Sequence, residues 1–182
     1  MSLSVILFLF LTHLGTGIVW TLLLVSRAAG VKFFRFNAGL AAVLLVIGFT
    51  FRPEPSVLGG VASGAALGAL VVTLGALVVY WITIGRALAA IRPGLLGLAS
   101  AGGLVTLVAQ ALALGSSLTV APTALVVASF LTSAALLGGS CTAMILGHWY
   151  LILPSLDIAL LQGMVKFHIG STIARILVVA AA

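Results

Sequence analysis

Between Arg92 and Asp157 lie 64 consecutive residues without a single Asp, Glu, Lys or Arg. A water-soluble globule has to cover its outside with polar groups, and such a run leaves none to cover it with. It is too long for one passage through a hydrocarbon core of about 30 Å and suits two passages joined by a turn. The rest of the chain agrees. Only 5% of the 182 residues are charged and 63% are hydrophobic, with a mean hydropathy of +1.42, where soluble domains carry about 25% charged residues. The chain is too apolar for disorder, its glycines lack a three-residue period, and one cysteine makes no disulfide framework. These features predict an all-α, polytopic transmembrane helix bundle.

The sparse charges mark where helices leave the hydrocarbon, which divides the chain into six predicted spans over residues 3–26, 36–52, 57–85, 95–114, 122–147 and 155–178, one transmembrane domain over 1–182. Residues 1–26 have neither the basic start nor the small-residue cleavage site of a secretory signal and are read as a retained helix. The uncharged stretch from Phe36 to Phe51 is short for a full crossing, so Arg35 and Arg52 are expected to snorkel. The Arg52-Pro53-Glu54-Pro55-Ser56 segment reads as an interfacial turn, and Gly115 to Thr123, with Ser116, Ser117 and Pro122, as the turn inside the charge-free run. Asp157 is placed in the first turn of the last helix, where the positive helix end favours an anion.

Arg27, Lys32 and Arg35 follow the first span and Arg86 and Arg92 the third, whereas the second is followed by Arg52 alone and no basic residue separates spans four and five. The positive-inside tendency therefore puts connections 1–2 and 3–4 in the cytoplasm, in a membrane such as the bacterial inner membrane. The net charge of +6 is accounted for by topology, so nucleic acid is not an expected partner; membrane lipids and other membrane subunits are.

Two rows of small residues predict close helix packing: Gly60, Gly64 and Gly68 in the third span, and Ala135, Gly139, Ala143 and Gly147 in the fifth, where Ser129 and Ser133 lie beside Thr132 and can hydrogen-bond between helices. Such rows serve either the bundle's own core or contact with another subunit. The aromatic residues Phe33, Phe34 and Phe36, Tyr80-Trp81 and Trp149-Tyr150 fall where depth anchors are expected.

Ionisable groups inside a bilayer are costly and draw attention to function. His13 falls mid-way along the first span and His168 mid-way along the sixth. On the sixth, Asp157, Met164, His168, Ser171 and Arg175 form one polar stripe at helical spacing, and Lys166 points away from it. Two histidines at matched depth on different helices are what a b-type haem needs, one imidazole on each side of the ring, with Arg175 available to a propionate; equally, each can hydrogen-bond to a carbonyl or hydroxyl. The segment with His148, Trp149 and Tyr150 concentrates an imidazole, an indole and a phenol at one interface, suited to a quinone or lipid headgroup or to an aromatic belt. Paired acids, a hydrolytic triad, a zinc cluster and a phosphate-binding glycine loop are all missing, so the chain offers no catalytic constellation of its own.

His13, followed by Trp20 in the first helix, and the Arg35-Phe36 pair before Ala38, Ala41 and Gly48 in the second resemble the opening of CopD-like bacterial membrane proteins. The resemblance covers about forty residues and departs at Thr21-Leu22, where that family has a glycine. It implies a small metal or solute transporter. Composition and packing alone predict instead an integral subunit of a larger membrane complex, of electron-transfer or respiratory type if the histidines hold a cofactor, or a purely structural scaffold subunit.

Overall fold

The computed structural model describes residues 2–53, 60–86, 89–115, 122–153 and 157–181. These form α1 (Leu3–Leu24), α2 (Gly30–Thr50), α3 (Val61–Thr83), α4 (Arg92–Gly115), α5 (Thr123–Ile152) and α6 (Ile158–Ala180). All six are long and apolar enough to cross a membrane, the pattern of an integral multi-pass protein. Glu54 to Ser56 and Ser116 to Ala121, in the two predicted turns, lie outside the described residues.

Helix boundaries correct the sequence expectations in two ways: α1 and α3 stop short of the expected 26 and 85, at Leu24 and Thr83, whereas α2, α4 and α5 run through charges or aromatic residues at the interface. Helix α2 begins at Gly30, after a 3-10 turn over Arg27–Ala29 started by the Ser26 hydroxyl accepting from the Ala28 amide. Lys32 and Arg35 ride on its first turns, and its 21 residues span about 31 Å, so this crossing is not short. Helix α4 begins at Arg92 with Pro93 in its first turn, where proline's missing amide donor costs nothing. Helix α5 continues past Gly147 to Ile152, which takes His148, Trp149 and Tyr150 into the helix. Asp157 caps α6, its carboxylate accepting from the Ala159 amide at 2.9 Å.

Helix α1 is the hub. It packs on α2, α4 and α5; α3 packs on α2 and α4; α5 also meets α4 and carries α6 on its other side. In α1, 61% of the apolar stretch is buried, against 11% in α6, whose substantial packing is on α5 alone. Large apolar side chains such as Ile6, Val43, Val72, Leu98 and Leu177 point outward, while Thr12, Thr16, Thr21, Asn37, Thr73, Thr106 and Thr142 are completely buried. That arrangement suits a lipid solvent. Several of the inward polar groups are satisfied by the helix that carries them: Thr12 donates to Phe8 O (2.8 Å), Thr73 to Ala69 O (2.8 Å), Thr106 to Gly102 O (2.9 Å), and the Asn37 amide to Phe33 O (3.0 Å).

The tightest contact is α1 against α5. A Cβ on Gly17 would fall into the carbonyl of Ala134, and one on Gly138 into the carbonyl of Gly17, so backbone meets backbone here. One turn further along, Thr21 and Thr142 share a hydrogen bond at 2.6 Å. The inward row of α5 is thus Ala134, Gly138 and Thr142, one residue ahead of the predicted Ala135, Gly139, Ala143 and Gly147. Of those four, only Gly139 is buried, and it faces α6, 3.0 Å from the Phe167 ring for an added Cβ; Gly147 meets nothing within 4 Å. On α3 the Gly64 and Gly68 faces are exposed, Gly60 precedes the helix at φ +107°, and none of the three contacts a neighbour. These glycines do not close the bundle's core. The close α3–α4 approach uses Gly102 instead, where an added Cβ would lie 2.5 Å from Thr73 Oγ1.

Candidate functional site

The polar groups of the interior converge along α1. Thr12 meets Gln110 of α4, whose amide nitrogen lies 3.4 Å from the hydroxyl. Thr16 packs its methyl against Gly103 of α4, where an added Cβ would be 2.5 Å away. The Trp20 indole donates to Ser100 O at 3.2 Å, and Thr21 reaches Thr142 of α5. Four atoms in this seam and the one beside it lack a hydrogen-bond partner among the described residues: His13 Nε2, Thr16 Oγ1, Ser100 Oγ and, on α2, Asn37 Oδ1.

His13 is 7% exposed and stacks edge-on against Phe130 of α5, ring centroids 4.8 Å apart. On α6, Arg175 lies at the same level of α5, donating from Nη1 to both the carbonyl oxygen and the hydroxyl of Ser129 at 2.7 Å. Instead of reaching for the membrane surface, this guanidinium ties α6 to α5.

His168 stands elsewhere. Its Nδ1 is 3.4 Å from the Ser140 hydroxyl, and its ring lies beside Gly139. Phe130 and Ser140 are ten residues apart, about 15 Å along α5, and the two histidines approach that helix from different partners, His13 from α1 and His168 from α6. The structure therefore does not bring His13 and His168 together, and the pair does not fit one haem held between two facing imidazoles. The error was one of register: each histidine is central in its own helix, but α6 is displaced along α5 relative to α1.

The stripe on α6 does face protein. Met164 and Ser171 are buried, and His168 and Arg175 are half-buried against Ser140 and Ser129 of α5, whereas Asp157, the fifth member, is exposed at the helix cap. Lys166 is exposed on the opposite side, with no ion pair among the described residues. At the far end of α5, His148, Trp149 and Tyr150 diverge instead of forming one binding group. Trp149 packs on Phe33 of α2 at 6.0 Å, the Tyr150 hydroxyl donates to the Asp157 carbonyl, and His148 is exposed.

No group of three or more His, Cys, Asp or Glu side chains among the described residues is placed to hold a metal ion. Of the residues that carry the CopD-like resemblance, Ala38 and Ala41 are fully buried and Gly48 lies against Leu11 and Thr12 of α1, whereas Arg35 stacks over Trp81 at 5.7 Å. No family model, curated protein or solved structure matches the chain.

The seam around Thr12, Thr16 and Gln110 has a sequence signal that hydropathy hides: hydroxyl and amide residues at helical spacing inside apolar runs. With no acid or second imidazole placed beside it among the described residues, His13 is buried with one unpaired nitrogen. Replacing it by Phe keeps the ring contact with Phe130 and removes the unpaired atom. Thermal unfolding of His13→Phe in detergent is expected to show no loss of stability and a gain of up to about 1 kcal/mol. A large loss would mean that the imidazole holds something the fold needs.

Proposed function

We propose that this protein is a subunit of a larger membrane assembly and that the outward face of α6 is where a partner helix packs. The observation that carries this reading is Lys166. Nine residues beyond the Asp157 cap, it lies about 13 Å into α6, close to the middle of a roughly 30 Å hydrocarbon core. Its four-carbon stem spans only about half of that depth, and an ammonium left in lipid costs at least about 2.5 kcal/mol. Around it Gly163, Gly170, Ile173 and Leu177 follow the alternating three- and four-residue spacing of a helix-packing seam. All four are exposed, and Gly163 and Gly170 touch nothing within 4 Å. A membrane helix carrying an Asp or Glu at matching depth satisfies both features, as intramembrane charges generally pair with one another.

The basic end of the bundle, with Arg27, Lys32, Arg35, Arg86 and Arg92, is the end we assign to the cytoplasm, as in a bacterial inner membrane. A photo-crosslinking residue at Ile173, activated in native membranes, tests the assembly. The expected result is a discrete adduct with another membrane protein, diminished at least tenfold in Lys166→Met, with no adduct from the outward Val46 of α2. Crosslinks to lipid alone, or a protein that leaves mild detergent with nothing bound, would overturn the proposal. The same preparation, oxidised and then reduced with dithionite, tests the electron-transfer class. A reducible Soret band in the assembly that survives both His13→Phe and His168→Phe would put haem on the partner.

A further inference from the structure

Four helix ends meet at the basic end of the bundle and leave a cavity of about 330 Å³ between them. Its walls come from the end of α1 (Leu22, Val25), the start of α2 (Phe34), the end of α3 (Tyr80, Ile84) and the start of α4 (Leu96), and they are largely apolar. Leu22, Val25, Tyr80, Ile84 and Leu96 are each buried in the bundle, so the inner wall is fixed by the core itself. Leu23 and Val31, 53% and 52% exposed, form an apolar mouth toward the surrounding lipid.

Two guanidinium groups, Arg27 and Arg92, line the same cavity, and no acid lines it among the described residues. Two helix starts and two helix ends face one another there, so their dipoles offset and the arginines set the sign. The Tyr80 ring lines the cavity together with both of them. Arg92 is half-buried; one of its terminal nitrogens donates to the Arg86 carbonyl, and its Nε is buried without a hydrogen-bond partner. A buried guanidinium N–H with no acceptor, beside a second cation and an empty volume, is short of an anion.

We propose that this cavity is a binding site for an anionic phospholipid, its phosphate between Arg27 and Arg92 and an acyl chain leaving over Leu23 and Val31. The planar fork of arginine matches phosphate oxygens, and the apolar mouth matches a chain that remains in the bilayer. The volume is in the range of small-molecule sites and admits a headgroup with its first methylenes, not a whole lipid.

The test uses the full chain in detergent, offered phosphatidylglycerol or phosphatidylcholine and examined by native mass spectrometry. Phosphatidylglycerol is expected to be retained at least tenfold better. The preference is expected to be lost in the double variant Arg27→Gln/Arg92→Gln and in Leu23→Trp, which narrows the mouth and keeps both charges. Lys32→Gln removes a cation at the same end that does not line the cavity, and it is expected to leave the preference intact. Equal retention of the two lipids, survival of the preference in both cavity variants, or an equal loss in Lys32→Gln would overturn the site. Displacement of phosphatidylglycerol by millimolar inorganic phosphate would overturn the lipid as occupant and leave a free-anion site. Each variant is scored only as monodisperse protein, and the two cavity variants change different walls, so misfolding of one leaves the other decisive.

Discussion

Gly17→Leu is expected to yield little or no folded, monodisperse protein. At this position α1 and α5 are in backbone contact, so the added side chain meets the Ala134 carbonyl and the Gly138 amide, not a flexible neighbour. Relief requires the two helices to separate, which also strains the Thr21–Thr142 hydrogen bond one turn away and the burial of Ile18 and Val19. Overpacking typically costs about 1–3 kcal/mol, and a contact that only backbone can relieve belongs at the top of that range or above it. Gly138→Leu is expected to behave alike, because the same contact is approached from the other helix. Gly64→Leu and Gly147→Leu are the controls: neither position has a neighbour within 4 Å, and neither is expected to change stability by more than about 0.5 kcal/mol. The measurement is thermal unfolding in detergent alongside the monodisperse yield. Equal tolerance at Gly17 and Gly64 would refute the packing described for α1 and α5.

Arg175→Met is expected to release α6 from the bundle. Helix α6 buries little of its surface and packs substantially on α5 alone. The two hydrogen bonds from Arg175 to Ser129 are charge-assisted and come from one nitrogen, Nη1, so they are counted together as one hydrogen-bonded charge, worth about 1.5–3 kcal/mol. The other polar link in mid-helix, His168 to Ser140, is long at 3.4 Å. Amide hydrogen exchange in α6 should therefore rise by roughly tenfold to a hundredfold, the equivalent of about 1.5–3 kcal/mol of lost local stability, while α1 keeps its protection. The contrast between the two helices is the readout. A uniform rise over the whole chain would mean that α6 unfolds with the bundle and not separately from it. Lys166→Met, on the opposite face of the same helix, is expected to leave exchange in the isolated protein unchanged, because Lys166 is exposed and has no ion pair among the described residues.

Six helices and their approximate positions were legible from hydropathy, because apolar length is a property of each segment alone. Where the reading by charges failed, at the start of α2 and the end of α5, the cause was physical: Lys32, Arg35, Trp149 and Tyr150 are long or amphipathic enough to remain helical while their ends reach the interface. Charge marks the membrane boundary less sharply than it marks the boundary of a soluble core. The stripe on α6 was also legible, since one helix wheel separates Met164, His168, Ser171 and Arg175 from Lys166.

What lies between helices was not. Residues Ser133 to Ala143 are nearly all small, so every face of that part of α5 permits a close approach, and only the docked α1 selected Ala134, Gly138 and Thr142 over the neighbouring row. Gly60, Gly64 and Gly68 had the stronger spacing and face away from the bundle. Likewise, His13 and His168 are each central in their helices, and a shift of α6 along α5 separates them. The cavity with Arg27 and Arg92 is assembled from four helix ends remote in sequence.

The sequence by itself determined the solvent, the approximate helices and the polar side of α6, because these depend on side chains a turn or two apart. The tertiary structure alone decided which small residues meet, how far one helix slides along another, and which cations share a space. Those depend on packing between rods whose surfaces offer several nearly equivalent faces.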